Sequence, residues 1–259
     1  MTALIEACAD VLEAAERDGR AVGRLSESHP QLTLDDAYAV ADVVAARRVA
    51  RGERVIGAKL GLTSPAKQDQ MQVTEPVYGR LLSSGVQPAH APVDLGRLIH
   101  PRVEPEIVFV MAEDLAGPGV TAADVLSATR AVGCGLEIID SRYAGFSFGA
   151  VDVVADNTSA ARVVLGPLLV DPRGLDLALV GLLLDVDGEL VATAAGAASM
   201  GHPAEAVALL ANWLGRRNET LRAGWTVFSG GLTAAVPLEA GRAVTATFGH
   251  LGTVSVRGV

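Results

Sequence analysis

The chain has 259 residues, half of them apolar and a fifth charged, so a sizeable core can form and global disorder is excluded. At roughly 150 residues per domain, the length suits one large domain or one with an appendage. Thirty acids against 21 bases give a formal charge of −9, which argues against a nucleic-acid or anionic-membrane surface built on clustered Lys and Arg. Only two of the bases are lysines, Lys59 and Lys67, so a lysine inside a motif is informative here.

Cys8 and Cys134 are too few and too far apart for a disulfide framework or a zinc site, and they read as small core residues. The N-terminus shows no basic segment followed by an apolar run. The most apolar stretch, Leu177 to Leu184, is about eight residues, well short of the roughly 20 that span a bilayer. A cytoplasmic protein is expected, with no nucleic-acid or membrane partner.

Residues 1–52 read as a helical segment. Leu4, Cys8, Val11, Leu12 and Ala15 share one face, with Thr2 as N-cap and Gly19 as the stop. A second helix is expected from the capping-box-like Thr33-Leu34-Asp35-Asp36 to just before Gly52. From residue 54 the period changes. Arg54–Lys59 reads as a strand, and Ser64-Pro65 as a helix start. A strand follows at about 103–111, then a helix from Thr121 to about Val132. Further strands fit Cys134–Ile139 and Arg162–Leu165. The runs Leu179–Val186 and Glu189–Thr193 flank Asp187-Gly188, a hairpin signal. Pro203 opens an amphipathic helix carrying Val207, Leu210, Trp213 and Leu214. Strands return at Trp225–Phe228, Ala243–Phe248 and Thr253–Val256. The order predicts an α+β fold with a β-rich part at 53–259. No Gly-rich phosphate fingerprint is present.

The chemistry concentrates in carboxylates. In His100-Pro101-Arg102-Val103-Glu104-Pro105-Glu106-Ile107, a strand places Glu104 and Glu106 on one face, Cα atoms roughly 6.6 Å apart, at the mouth of an apolar run. Glu137 interrupts a second apolar strand, Leu136-Glu137-Ile138-Ile139. Buried carboxylates repel unless a cation lies between them. Three of them with no His or Cys motif make a hard oxygen set suited to Mg²⁺ or Mn²⁺. The alternative is a solvated strand edge or pairing with Arg102 and Arg142. Lys59, flanked by Gly57 and Leu60, is either a cleft ammonium or a snorkelling surface residue. The runs Val154–Ala160 and Phe228–Thr233 are turns or carboxylate-binding loops. His100 and His202 lie near motifs, but no spacing makes either one a base.

Taken together, these runs resemble the family of vinylpyruvate hydratases and 4-oxalocrotonate decarboxylases in the fumarylacetoacetate hydrolase superfamily. The resemblance rests on Gly57–Ser64 (GxKxGLTS), Pro101–Ile107 (PxVExEI), Leu136–Arg142 (LEIIDSR), Ala155–Ser159 (ADNxS) and Leu221–Gly231 (LRAGW…GG), in that order. It implies a helical N-terminal part on a mixed β-rich core of the fumarylacetoacetate hydrolase C-terminal type. It also implies a divalent metal, Mg²⁺ or Mn²⁺, held by Glu104, Glu106 and Glu137. Lys59 would be catalytic, and substrate contacts fall at Leu60, Ser159, Ser229, Gly230, Gly231 and Thr233. Hydratases of the family often carry an acid where this chain has Val77, and they often read VEAEI where this chain reads Val103-Glu104-Pro105-Glu106-Ile107. The resemblance therefore favours decarboxylation of 2-oxo-3-hexenedioate to 2-hydroxy-2,4-pentadienoate, with vinylpyruvate hydratase and a non-catalytic partner subunit as alternatives. Self-association is expected, and a related hydratase is a candidate partner for hand-over of an unstable enol.

Overall fold

The computed structural model describes residues 1–89 and 91–259. The helices are α1 (Thr2–Asp18), α2 (Leu25–Ser28), α3 (Leu34–Ala50), α4 (Pro65–Met71), α5 (Ala122–Ser127), α6 (Ala150–Ala155) and α7 (Pro203–Arg216). The strands are β1 (Val55–Gly61), β2 (Val77–Leu82), β3 (Arg102–Met111), β4 (Thr129–Ile139), β5 (Ala160–Val170), β6 (Gly181–Val186), β7 (Glu189–Ala195), β8 (Thr226–Phe228), β9 (Val236–Pro237), β10 (Ala243–Phe248) and β11 (Gly252–Arg257). The class is α+β, as expected. No helix among the described residues is long and apolar enough to cross a membrane.

Local chemistry accounts for most helix ends. Thr33 and Asp36 form the reciprocal capping box that starts α3. Ser64 caps α4, and Gly19 closes α1 in the left-handed conformation at φ 60°. Thr2 is not the N-cap: the Leu4 and Ile5 amides already donate to the Met1 carbonyl, so α1 begins one residue earlier. The helix expected from Thr121 to Val132 stops at Ser127. Residues from Thr129 onward join β4, where Ala131 pairs with Val110 and Val132 with Phe109. Long-range pairing there overrides a local helical pattern. Asp187 and Gly188 both have positive φ, 54° and 84°, and make the tight turn of the β6–β7 hairpin.

One sheet runs β2-β1-β8-β3-β4-β5, with β9 added to β3; only β1 and β8 pair in parallel. Its outer strands approach each other. The Asn157 side chain accepts from the Arg80 amide at 2.7 Å and donates to the Arg80 carbonyl at 2.9 Å, standing in for a strand pair. The Gln87 amide donates to the Val163 carbonyl at 2.9 Å. The sheet therefore curls into a partly closed barrel. Leu81, Val108, Val163 and Phe228 pack together on its inner face. Alternation along β3 sends Glu104, Glu106 and Val108 inward, whereas Val103, Ile107 and Phe109 enter the main core outside.

A second sheet, β11-β10-β6-β7, packs on β4 and β5, and α7 lies against α5 and β1. The N-terminal helices reach the barrel through α6: the Ser26 amide and hydroxyl donate to the buried Asp152 carboxylate at 2.8 and 2.7 Å. The chain leaving α6 then turns through 157–159 back into the barrel. Removing the Asn157 side chain leaves two part-buried backbone groups of β2 without that partner. Asn157→Ala should lower unfolding free energy by about 2 kcal/mol in urea denaturation. A loss below about 0.5 kcal/mol would mean the barrel edge does not depend on this bridge.

Candidate active site

The antiparallel register of β3 and β4 sets Glu104 directly opposite Glu137, and Glu106 follows two residues later on the same face. Each of the three carboxylates offers an oxygen, and these oxygens all lie within 4.8 Å of one another. Among the described residues this is the only cluster of three or more such acid, His or Cys groups. Glu106 and Glu137 are 0 % exposed, and Glu104 is partly exposed beside a cavity of about 280 Å³. A larger recess of about 950 Å³ elsewhere is lined by ion pairs such as Arg51–Glu13 and Arg48–Glu16, and it holds none of the candidate residues.

The trio is not tied up with arginines. Arg142 turns instead to Asp156, and Arg102 stacks on Phe146. The partners are the chain's two lysines. Lys59 Nζ lies 2.9 Å from Glu137 Oε2 and donates to the Thr158 carbonyl at 2.9 Å. Lys67 Nζ lies 3.1 Å from Glu104 Oε1. The Gly230 amide donates to Glu106 Oε2 at 2.6 Å. Glu106 Oε1 and Glu137 Oε1 are buried with no hydrogen-bond partner. An all-oxygen donor set with unpartnered inward oxygens fits a hard divalent cation.

Burial, reinforced by the neighbouring Glu137 charge, pushes the Glu106 carboxyl well above the usual carboxylate range; Lys59 and the Gly230 amide only partly oppose this. Burial likewise raises Glu137, against the pull of Lys59. For Lys59, burial alone would lower the ammonium, but the three surrounding carboxylates outweigh it and hold the group above its ordinary value. With the three acids around it, Lys59 is held as the ammonium.

The turn that faces Lys59 is strained. Asn157, Thr158 and Ser159 all adopt positive φ, 49°, 56° and 56°. That turn aims the Thr158 carbonyl at Lys59 and sets Ser159 on the cavity wall. Buried Arg142 braces it, donating to the Asp140 and Asp156 carbonyls at 2.7 and 2.6 Å. Across the cavity, Gly231 approaches so closely that a Cβ would stand 2.7 Å from Glu104 Oε1. Phe146, Phe148, Ile139 and Val153 supply an apolar wall.

Of the residues expected at the substrate, Lys59, Ser159 and Gly231 line the cavity. Leu60 lies on the opposite face of β1 and packs with Tyr78 and Trp213, because neighbouring strand residues point in opposite directions. The Ser229 hydroxyl is spent on the Ile107 carbonyl at 2.8 Å, and the Gly230 amide on Glu106. The Thr233 hydroxyl donates to the Ala234 carbonyl at 3.0 Å and is absent from the cavity lining. His100 stacks against Phe146 with ring centroids 5.2 Å apart, and His202 caps α7 by accepting from the Ala204 amide at 3.1 Å. Neither histidine is among the residues that line the cavity. Sequence reasoning did not assign Lys67, Arg102, Phe146 or Phe148 to the cavity. The scarcity of lysine was the signal for Lys67.

An inward acidic trio in a curled mixed sheet defines a candidate divalent-metal centre on a fumarylacetoacetate-hydrolase-type fold. No family model matches the chain. A 4-oxalocrotonate decarboxylase of Pseudomonas sp. strain CF600 is 43% identical over 251 residues, 97% of this chain and 95% of that protein. A 2-hydroxyhexa-2,4-dienoate hydratase of Comamonas testosteroni is 40% identical over 255 residues, 98% and 97% of the two chains. Among solved structures, the 4-oxalocrotonate decarboxylase from Pseudomonas putida G7, complexed with magnesium and adipate, superposes with a TM-score of 0.97 at 40% identity, covering 100% of this chain and 98% of that one. A fumarylpyruvate hydrolase from Pseudomonas aeruginosa shares the fold alone, with a TM-score of 0.59, 19% identity and coverage of 78% of this chain and 88% of that one. The chain belongs to the family of 4-oxalocrotonate decarboxylases and 2-hydroxydienoate hydratases.

The electrostatics have a signed consequence. Folding raises the Glu106 and Glu137 carboxyls, so the folded chain holds protons that the unfolded chain has already lost. Their contribution to metal-free stability therefore falls as pH rises above roughly 4.3. In chelator, Glu106→Gln should gain on the wild type as pH rises from 5.5 to 8, and Lys59→Met should lose about 3 kcal/mol at pH 7.5 by stranding Glu137. Denaturant titrations across that pH range check both; a Glu106→Gln difference independent of pH would contradict the electrostatic account.

Proposed function

We propose that the chain is a divalent-metal-dependent lyase that decarboxylates 2-oxo-3-hexenedioate to 2-hydroxy-2,4-pentadienoate. The observation that carries this reading is the convergence of Glu104, Glu106 and Glu137, with two buried unpartnered oxygens, beside a part-apolar cavity. The relatives named as decarboxylases support it, as does the magnesium and adipate, a six-carbon dicarboxylate, carried by one of them. Glu104, Glu106 and Glu137 would hold magnesium or manganese. When bound, that cation supplies Lewis acidity to the 2-oxo acid end of the substrate.

In the reaction the C5–C6 bond breaks and its electron pair forms C4=C5. The C3=C4 pair shifts to C2=C3, and the carbonyl pair comes to rest on the C2 oxygen, which then takes a proton. Lys59, fixed as an ammonium at the cavity base, balances the charge that collects on that oxygen and can return the proton. Ser159 lies on the cavity wall and would turn its hydroxyl to a substrate carboxylate from Asp156 Oδ2, to which it donates at 3.4 Å. The Gly230 amide acts through Glu106, by orienting a donor, rather than on the substrate. Phe146, Phe148 and Val153 exclude water from the bond that breaks.

Vinylpyruvate hydration is the second reading, favoured by the hydratase names among the relatives. Adding water needs a base in reach. Glu104 is the only acid on the cavity wall among the described residues, and Val77 is buried in β2. Both facts favour decarboxylation over hydration. A non-catalytic subunit is a third reading, and the intact trio with both lysines speaks against it. All cavity residues fall within 53–259, in keeping with a catalytic core there and a bracing helical part at 1–52. A cytoplasmic, self-associating protein is part of the proposal. Exposed Leu179, Leu183, Leu190 and Val191 around the small sheet offer apolar surface for association, with a related hydratase as a further partner.

The test is to strip the purified protein with chelator and follow the ultraviolet band of 2-oxo-3-hexenedioate with coupled CO₂ detection. Activity should vanish, return with Mg²⁺ or Mn²⁺, and fall at least ~100-fold in Glu106→Gln. Substrate loss without CO₂ release would refute the decarboxylase reading, and turnover of 2-hydroxy-2,4-pentadienoate would favour the hydratase.

A further inference from the structure

Among the cations on the cavity wall, Arg102 alone has no carboxylate partner among the described residues. We propose that it receives the remote carboxylate of the substrate and so selects dicarboxylates over monocarboxylates. This inference rests on the proposed reaction and names the group that chooses its substrate.

Strand alternation places Arg102 on the same face as Glu104 and Glu106, one step toward the cavity mouth, its Cα roughly 6.6 Å from that of Glu104. Exposure follows the same direction: Glu106 is buried, whereas Glu104 and Arg102 are half-buried. The backbone there is pinned on both sides, by Ile139 of β4 and Pro237 of β9. Lys59 and Lys67 are already committed to Glu137 and Glu104. The Arg102 guanidinium carbon instead sits 4.3 Å from the centroid of the Phe146 ring. Phe146 in turn is held between His100 and Phe148, with centroid separations of 5.2 and 5.6 Å. Stacking occupies one flat face of the guanidinium and leaves its N–H edge for a planar, two-oxygen acceptor.

Charge balance points to the same ligand. Three carboxylates face two lysines, Arg102 and the dication the trio would hold, which leaves a surplus of two positive charges. A dianion cancels that surplus, and a monocarboxylate leaves one charge uncompensated in a partly dry site. The chelating end of a 2-oxo dicarboxylate would occupy the trio's end of the cavity. Its far carboxylate would then lie toward Arg102.

The contact has a kinetic signature. The remote carboxylate gives up its charge as CO₂ leaves, so the Arg102 contact is strongest before the bond breaks. Arg102 therefore contributes to affinity and selection more than to the chemical step.

The experiment titrates the Mg²⁺-loaded protein calorimetrically with 2-oxoadipate and 2-oxohexanoate, which share a chelating end and chain length and differ only in the remote carboxylate. The wild type should prefer 2-oxoadipate by about tenfold or more. Arg102→Gln should bring the two ligands within ~3-fold by weakening 2-oxoadipate alone, and Arg102→Lys should recover part of the preference. With 2-oxo-3-hexenedioate, Arg102→Gln should raise KM about tenfold without lowering kcat by more than ~3-fold. An undiminished preference in Arg102→Gln, or an equal loss for both ligands, would overturn the proposal. Binding is read without turnover, so a wild type that releases no CO₂ would refute the reaction while the ligand preference still decides the role of Arg102.

Discussion

Three carboxylate oxygens within 4.8 Å of one another, two of their side chains sealed from water, are the most demanding arrangement in the molecule. Left unpaired, such charges would be expelled, protonated or hydrated. The fold keeps Glu106 and Glu137 buried and raises both carboxyls toward the protonated form. Lys59 and Lys67 each neutralise one acid, the Gly230 amide engages another, and two oxygens still face inward without a partner. The residual strain has a simple resolution in a hard dication, which replaces self-repulsion by attraction to a common centre.

Much of the surrounding structure can be understood as holding that trio still. Glu104 and Glu137 face each other because β3 and β4 pair in one register, and a slip of one residue would turn both out of the barrel. Closure of the barrel edge by Asn157 brings the left-handed turn, with its Thr158 carbonyl, against Lys59. Arg142 and Asp152 anchor that turn from the far side, the latter through the N-terminal helices. Gly231 and the Gly230 amide close the other side, where a Cβ on Gly231 would displace the Glu104 carboxylate. The helical segment and the barrel are thus parts of one support, joined through a common core.

The acidic trio and Lys59 were legible in the sequence because each breaks a local rule: a charge set in an otherwise apolar strand. The capping box at Thr33 and the Asp187-Gly188 hairpin were legible for the opposite reason, since their chemistry is complete within four residues. What was not legible depends on pairing at a distance. Residues 129–132 carry a helical pattern, yet β3 claims them. Leu60 lies within a motif, but only the sheet says that it faces away from the cavity. Arg102 gains meaning only when a turn more than forty residues later, with Phe146 at positive φ, sets an aromatic ring beneath it.

The account stands or falls on whether the inward glutamates share one ion. Anomalous diffraction from crystals grown with Mn²⁺ measures this directly. One strong peak per chain, in contact with oxygens of Glu104, Glu106 and Glu137, is the result the structure predicts. A site with no peak there, the carboxylates still held only by Lys59, Lys67 and the Gly230 amide, would contradict it.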